Sequence, residues 1–288
     1  MTLLQKMRTL FLLPILLLTI LTTPKAVDTD TARFVSQKVF VMDQALAMGQ
    51  GITTDGTYFY TSGAATGLRV TYLAKIDIAS MAMTAKHLNP LPQVCKERGN
   101  DHIGGISYYN GRLYASVEGG DVCKACIVVF DPETLTATGD VYDLPNEIFD
   151  DGIPWLAVDP ATGYLYASQW NHAKTVYVYD VNNGMALVKD LPLTGVGELD
   201  RIQGGEFRDG TLYLSQDTKD EGTMKRLLAL DTATGEVTVA ARRNVGGTNI
   251  ETEGMTFLGK DGKTSLWILD YNKAVGIFLR EYDLTPAP

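Results

Sequence analysis

One phrase recurs five times along the chain: a Gly-containing entry, a β-rich run, a tight turn, and a second run ending in Tyr or Trp and a small residue. It reads QGITTDGTYFYTS, GGISYYNGRLYAS, PWLAVDPATGYLYAS, GGEFRDGTLYLS and EGMTFLGKDGKTSLWIL, and the aligned positions Gly51, Gly105, Trp155, Gly205 and Gly254 lie 54, 50, 50 and 49 residues apart. A period near 50 of strands and turns is the mark of a β-propeller, because one four-stranded blade cannot bury both faces alone and stacks on copies of itself around an axis. Each phrase is followed by a third β-rich segment ending in Asp, at Asp77, Asp131, Asp180, Asp231 and Asp283. In the first four repeats a short turn and a fourth strand come next. The fifth repeat lacks its fourth strand, and FVSQKVFVMD, around Val35 to Asp43, stands unpaired near the N-terminus. The fold expected is all-β: a five-bladed propeller of four-stranded blades, its ring closed by that N-terminal strand, with no sizeable helix. Closure removes the free edges an open array would expose.

Lys6 and Arg8 precede an apolar run from Leu10 to Leu21 and then TTPKAVDTD. This has the n-region and h-region of a secretory signal and is short for a membrane span. The expected organisation is a signal peptide over 1–26, with an uncleaved anchor as the alternative because Pro24 makes the cleavage site imperfect, and a single propeller domain over 33–288. The protein is then secreted or periplasmic, or held at a membrane by its leader. A net charge of −9 argues against a nucleic-acid partner, which clustered Lys and Arg would have to hold. It suits a small-molecule ligand or a metal ion bound by a monomer.

Export makes the three cysteines legible. Cys95 lies just before the first strand of blade 2, and Cys123 and Cys126 lie between its second and third strands, so all three emerge on one face. A disulfide from Cys95 to Cys123 or Cys126 is expected, with a Cys₃His zinc site including His102 as the alternative.

Strands of a blade alternate in direction, so the connections between blades share a face with the loops between second and third strands. The recurrent aspartates fall on the other face, as turn formers that bond their own backbone. The first face is irregular, as binding loops on a rigid scaffold are. Its second-strand ends carry Glu118, Trp170, Asp217 and Asp270. Its first-strand entries carry Gln50, Asp101, His102, Asp151, Trp155, Arg201, Gln203, Glu206, Glu251 and Glu253. Convergent carboxylates there suit a divalent cation such as Ca²⁺, with Glu253, Asp217, Asp270 and Glu118 as the ligands. His102 or Glu206 is the expected proton carrier and Arg201 an anion clamp. Trp155 and Trp170 would wall the pocket, and Gln50, Asp101, Asp151, Gln203 and Glu251 would contact the ligand. The other reading of the same residues is that they line a water-filled channel and bond exposed strand ends. Tyr60, Tyr114, Tyr166 and Tyr213 recur by blade and are expected to pack between blades.

MGQGIT (48–53) and ETEGMTF (251–257) resemble blade openings of the plant-type glutaminyl cyclases, which are five-bladed propellers. Glu253-Gly254 followed by a β-run is similar to the metal-ligand opening of the gluconolactonase/senescence-marker propellers, a six-bladed group of calcium-dependent lactone hydrolases. That second resemblance implies calcium at Glu253, with Asp217 or Asp270 at the family's Asp position, and a lactone-like substrate. Where the group has an Asn in a PNG-type turn, this chain has GIPWLAV, with Pro154 and Trp155. The function expected is an exported propeller binding a sugar- or lactone-like ligand at an acidic mouth, as a metal-assisted hydrolase. The alternative is a non-catalytic propeller that docks a protein or glycan.

Overall fold

The computed structural model describes residues 32–40, 49–65, 68–119, 124–218 and 222–284. They form five sheets arranged as the blades of a propeller. Blade 1 comprises β2 (Ile52–Thr54), β3 (Tyr58–Ala65), β4 (Val70–Asp77) and β5 (Ala82–Leu88). Blade 2 comprises β6 (His102–Tyr109), β7 (Arg112–Glu118), β8 (Cys126–Phe130) and β9 (Ala137–Asp143). Blade 3 comprises β10 (Trp155–Val158), β11 (Tyr164–Ser168), β12 (Thr175–Asp180) and β13 (Ala186–Pro192). A two-residue strand, β14 (Thr194–Gly195), follows and adds in parallel to the outer edge of blade 4. That blade consists of β15 (Ile202–Arg208), β16 (Thr211–Gln216), β17 (Met224–Leu230) and β18 (Glu236–Asn244). Blade 5 contains β19 (Glu251–Lys260), β20 (Lys263–Asn272) and β21 (Gly276–Asp283), and its fourth strand is β1 (Arg33–Phe40), antiparallel to β21. The ring therefore closes as the repeat pattern predicts. Val41, Met42 and Asp43 lie outside the described residues, as do the leader and Cys123.

Recurrent residues of the phrase have distinct jobs. The glycines let the inner strands approach backbone to backbone at the axis. A Cβ on Gly254 would lie 2.7 Å from Gly51 Cα, one on Gly204 2.7 Å from Gly254 Cα, and one on Gly105 2.7 Å from Trp155 Cα. Blade 3 has no glycine here, and the fully buried Trp155 indole fills the space beside Gly205. The small residue closing the second strand is a serine in four blades. Ser62 Oγ accepts from Gly51 N–H and donates to Gly104 C=O of the next blade, and Ser215 Oγ donates to Glu253 C=O. The aromatic position packs between blades: Tyr60 stacks on Tyr108 at 6.0 Å, Tyr166 meets Phe207 at 5.2 Å and Tyr213 meets Phe257 at 5.2 Å. Such pairs add to the burial that holds blades together.

The repeated aspartates are turn formers in blades 1 to 4. Asp131 accepts from Glu133 and Thr134 N–H, Asp231 from Ala233 and Thr234 N–H, Asp77 from Ser80 N–H and Asp180 from Asn182 N–H. Asp283 pairs with Arg33 of β1 at 2.7 Å. The expected disulfide is not formed. Cys95, on a five-residue helix α1 (Gln93–Glu97), and Cys126 are both buried free thiols with sulfurs 3.9 Å apart, against about 2.05 Å for a bond. The contact between the two thiols pulls the Cys95 pKa down and, together with burial, pushes that of Cys126 up.

Candidate functional site

The mouth residues that converge belong to blades 4 and 5. Arg201 immediately precedes β15 in the left-handed region, at φ 53°, a conformation uncommon for a side chain with a Cβ. Backbone bonds hold it there: Arg201 N–H donates to Trp170 C=O and Asp217 N–H donates to Arg201 C=O. Its guanidinium then reaches Asp217 Oδ2 at 2.5 Å and Glu251 Oε1 at 2.8 Å, with its carbon 5.1 Å from the Trp170 ring centre. The other Asp217 oxygen accepts from the buried Lys225 Nζ at 2.6 Å and from Thr252 N–H at 3.1 Å. Gln203 Nε2 contacts Glu251 Oε1 at 3.4 Å. Burial alone would raise the Asp217 pKa, but the hydrogen bonds from Lys225 and Arg201 hold it below the ordinary carboxylate range.

Glu253 behaves oppositely. It is 2% exposed, its Oε2 has no hydrogen-bond partner, and burial followed by the neighbouring Glu251 and Asp217 carboxylates pushes its pKa well above the usual value. An acid whose charge is disfavoured thus lies near one whose charge is held by cations, the arrangement by which a site separates the roles of its carboxyl groups.

The groups assigned to a metal do not form a metal site. Asp270 is fully buried between Arg243, at 2.8 Å, and Arg280, at 2.9 Å, and accepts also from Thr252 Oγ1. Asp217 is held by Arg201 and Lys225, and Glu118 accepts from Ile153 N–H in blade 3. Among the described residues no three His, Cys, Asp or Glu side chains are grouped to share a metal ion. Asp217 and Asp270 do not fit as ligands of a hard cation, because their oxygens already face the fixed positive charge of Arg201, Lys225, Arg243 and Arg280. Cys95, Cys126 and His102 likewise make no zinc site.

Other predicted residues separate. His102 opens β6 opposite Glu118 in blade 2, and Asp101 lines a shallow cleft between blades 1 and 2. Asp151 is a tie, its two oxygens accepting from Trp170 and Asn171 N–H. Gln50 serves through its backbone, bonding Ser62 and Gly254. Trp155 is in the axial core, its Nε1–H on Ser168, and walls no pocket. Glu206 lies just beyond the glycine pair of β15, whereas Glu253 precedes Gly254 in β19. Glu206 bonds Phe207 N–H and Thr256 Oγ1, and burial lifts its pKa to about 7. Bound to Phe207 and Thr256, it does not join the Arg201–Asp217–Glu251 cluster. Sequence reading missed Lys225, Arg243 and Arg280. Their signal was a basic residue inside a third or fourth strand that otherwise reads as core.

Arg201, Asp217, Lys225 and Glu251, with Asn249 and Tyr271, bound a cleft of about 630 Å³ between blades 4 and 5. No protein-family profile and no curated protein matches the chain. Solved structures do. The chain is a five-bladed β-propeller. It is similar to an exo-1,5-α-L-arabinanase from a bovine ruminal metagenomic library, at 12% identity over 85% of this chain and 95% of that one, with a TM-score of 0.53. It is similar to a β-xylosidase, at 12% identity over 85% and 94% of the two chains, TM-score 0.50. The WD40 repeats of RRP9 match at 9% identity over 88% and 99%, TM-score 0.50. At these identities the likeness is one of fold, shared by enzymes that act on glycans and by a repeat protein alike.

Proposed function

We propose that the cleft between blades 4 and 5 binds a small, neutral, polyhydroxylated ligand, sugar- or lactone-like, and hydrolyses an ester or lactone bond in it without a metal. The observation that carries this reading is the Arg201–Glu251 pair on the cleft wall. The inner wall balances Arg201 and Lys225 against Asp217 and Glu251, which leaves the exposed Lys273 as the remaining charge along the cleft. The Glu251 side chain is 34% exposed and can take a proton from water. The water oxygen bonds to the ligand carbonyl carbon, and the Arg201 guanidinium receives the oxyanion. Glu251 then returns the proton to the leaving alkoxide as the C–O bond breaks.

Initial rates over a panel of aldono-1,5-lactones and sugar esters test this reading. Wild type is expected to exceed the buffer rate, and Glu251→Gln to lose about a hundredfold of that activity, a typical share for general acid–base catalysis. Binding without turnover in wild type would favour the non-catalytic glycan- or protein-docking propeller. No binding and no turnover would remove the reading. The leader fits export of a monomer to the periplasm or medium, and N-terminal sequencing of exported protein is expected to begin after Ala26.

A further inference from the structure

The Arg201–Asp217 pair is also the wall of a second cleft, of about 380 Å³, on its blade 3 side. Asn171 and His172 from blade 3, Val196 from the connection to blade 4, and Gln216 at the end of β16 complete it. Gln216 is 6% exposed, and its Nε2 donates to Asp200 C=O at 2.9 Å, which fixes the orientation of the amide. Its Oε1 is then a buried acceptor with no donor. Such an atom costs stability unless something fills it, and a ligand hydroxyl is the fitting group. The acids here have partners too: Glu198 is paired with Lys174 at 2.9 Å, and Asp200 accepts from His172 N–H at 2.6 Å.

Resting on the reading of the first cleft as a ligand site, we propose that the two clefts are adjacent subsites of one site, parted only by the Arg201–Asp217 rib. The ligand is a sugar lactone or ester bearing a second glycosyl unit, which occupies the second cleft and donates a hydroxyl to Gln216 Oε1. Each cleft alone has room for about one sugar ring, and together they form a trough across the mouth of blades 3 to 5.

Calorimetry with hydrolysis-resistant aldono-1,5-lactams of common hexoses and pentoses, each with and without one appended glycosyl unit, tests the proposal. At least one extended lactam is expected to bind about tenfold more tightly than its parent, the worth of satisfying a buried acceptor. Val196→Trp, at an exposed residue that touches only the second cleft, is expected to abolish that gain and leave the parent's affinity unchanged. Gln216→Met is expected to remove most of it. Equal binding of parent and extended lactams to wild type, or a gain that survives Val196→Trp, would overturn the two-subsite assignment while leaving the first cleft intact. If neither kind of lactam binds, the first-cleft reading falls and this one with it.

Discussion

Two carboxyl groups show how environment sets the behaviour of one side chain. Glu206 is held near a pKa of about 7 because burial disfavours its charge more than Phe207 N–H and Thr256 favour it. Its folded value is raised, so the native state retains a proton that the unfolded chain has released, and stability falls as pH rises from about 4.5 to about 7. The loss is at most about 3 kcal/mol. Glu206→Gln is expected to match wild type in denaturant unfolding at pH 4 and to exceed it at pH 8; parallel curves would refute the assignment. Asp131 and Asp231 work the other way, held low chiefly by their turn amides. Their contribution is present above the unfolded carboxylate value and is lost as pH falls through the folded one. Alanine at either is expected to cost about 1 kcal/mol in chemical denaturation with no change in KM, since the turn lies on the face away from the clefts. These turn roles were legible because they repeat. The state of Glu206 was not, since burial and partners come from blades 1 and 5.

At the level of the element, the inner strands depend on having no side chain where they meet. Gly254→Ala has no room for its methyl group between Gln50 C=O, 2.6 Å away, and Gly51 Cα. It is expected to cost about 2 kcal/mol or more, the range of core overpacking, read as a fall in Tm with blade content by circular dichroism retained. β1 is held by its ladder to β21 and by Arg33–Asp283, Ser36–Glu281 and Gln37–Arg280 contacts. Removing residues 32–43 leaves β21 as a bare edge, and light scattering is expected to show aggregation that full-length protein lacks. A monomeric, soluble truncation would count against closure by this strand. The strand order could be read from the repeat, because a missing fourth strand at one end and a spare one at the other have one joint solution. The glycine-to-backbone contacts were not readable, because a recurrent Gly looks alike whether it serves a turn or a close approach.

For the whole molecule, the balance of charge at the mouth makes its own prediction. With Asp217 and Asp270 each bound by two cations, a chelator is expected to leave Tm and lactone hydrolysis unchanged. A chelator-sensitive Tm restored by Ca²⁺ would reverse that conclusion. Period, blade count and the turn aspartates followed from the sequence itself, since each rests on segments close in the chain that recur from blade to blade, and closure followed from the one strand that the last repeat lacks. Which acids share a site did not. Asp217 meets Arg201 and Thr252 from 16 and 35 residues away, and Asp270 meets Arg243 from 27 away. Those distances are not multiples of the blade period, and the contacts occur at one blade boundary only. The repeat places every acid at a mouth of equal height, but only the stacked blades decide whether its neighbour is a cation that holds its charge or a wall that strips it.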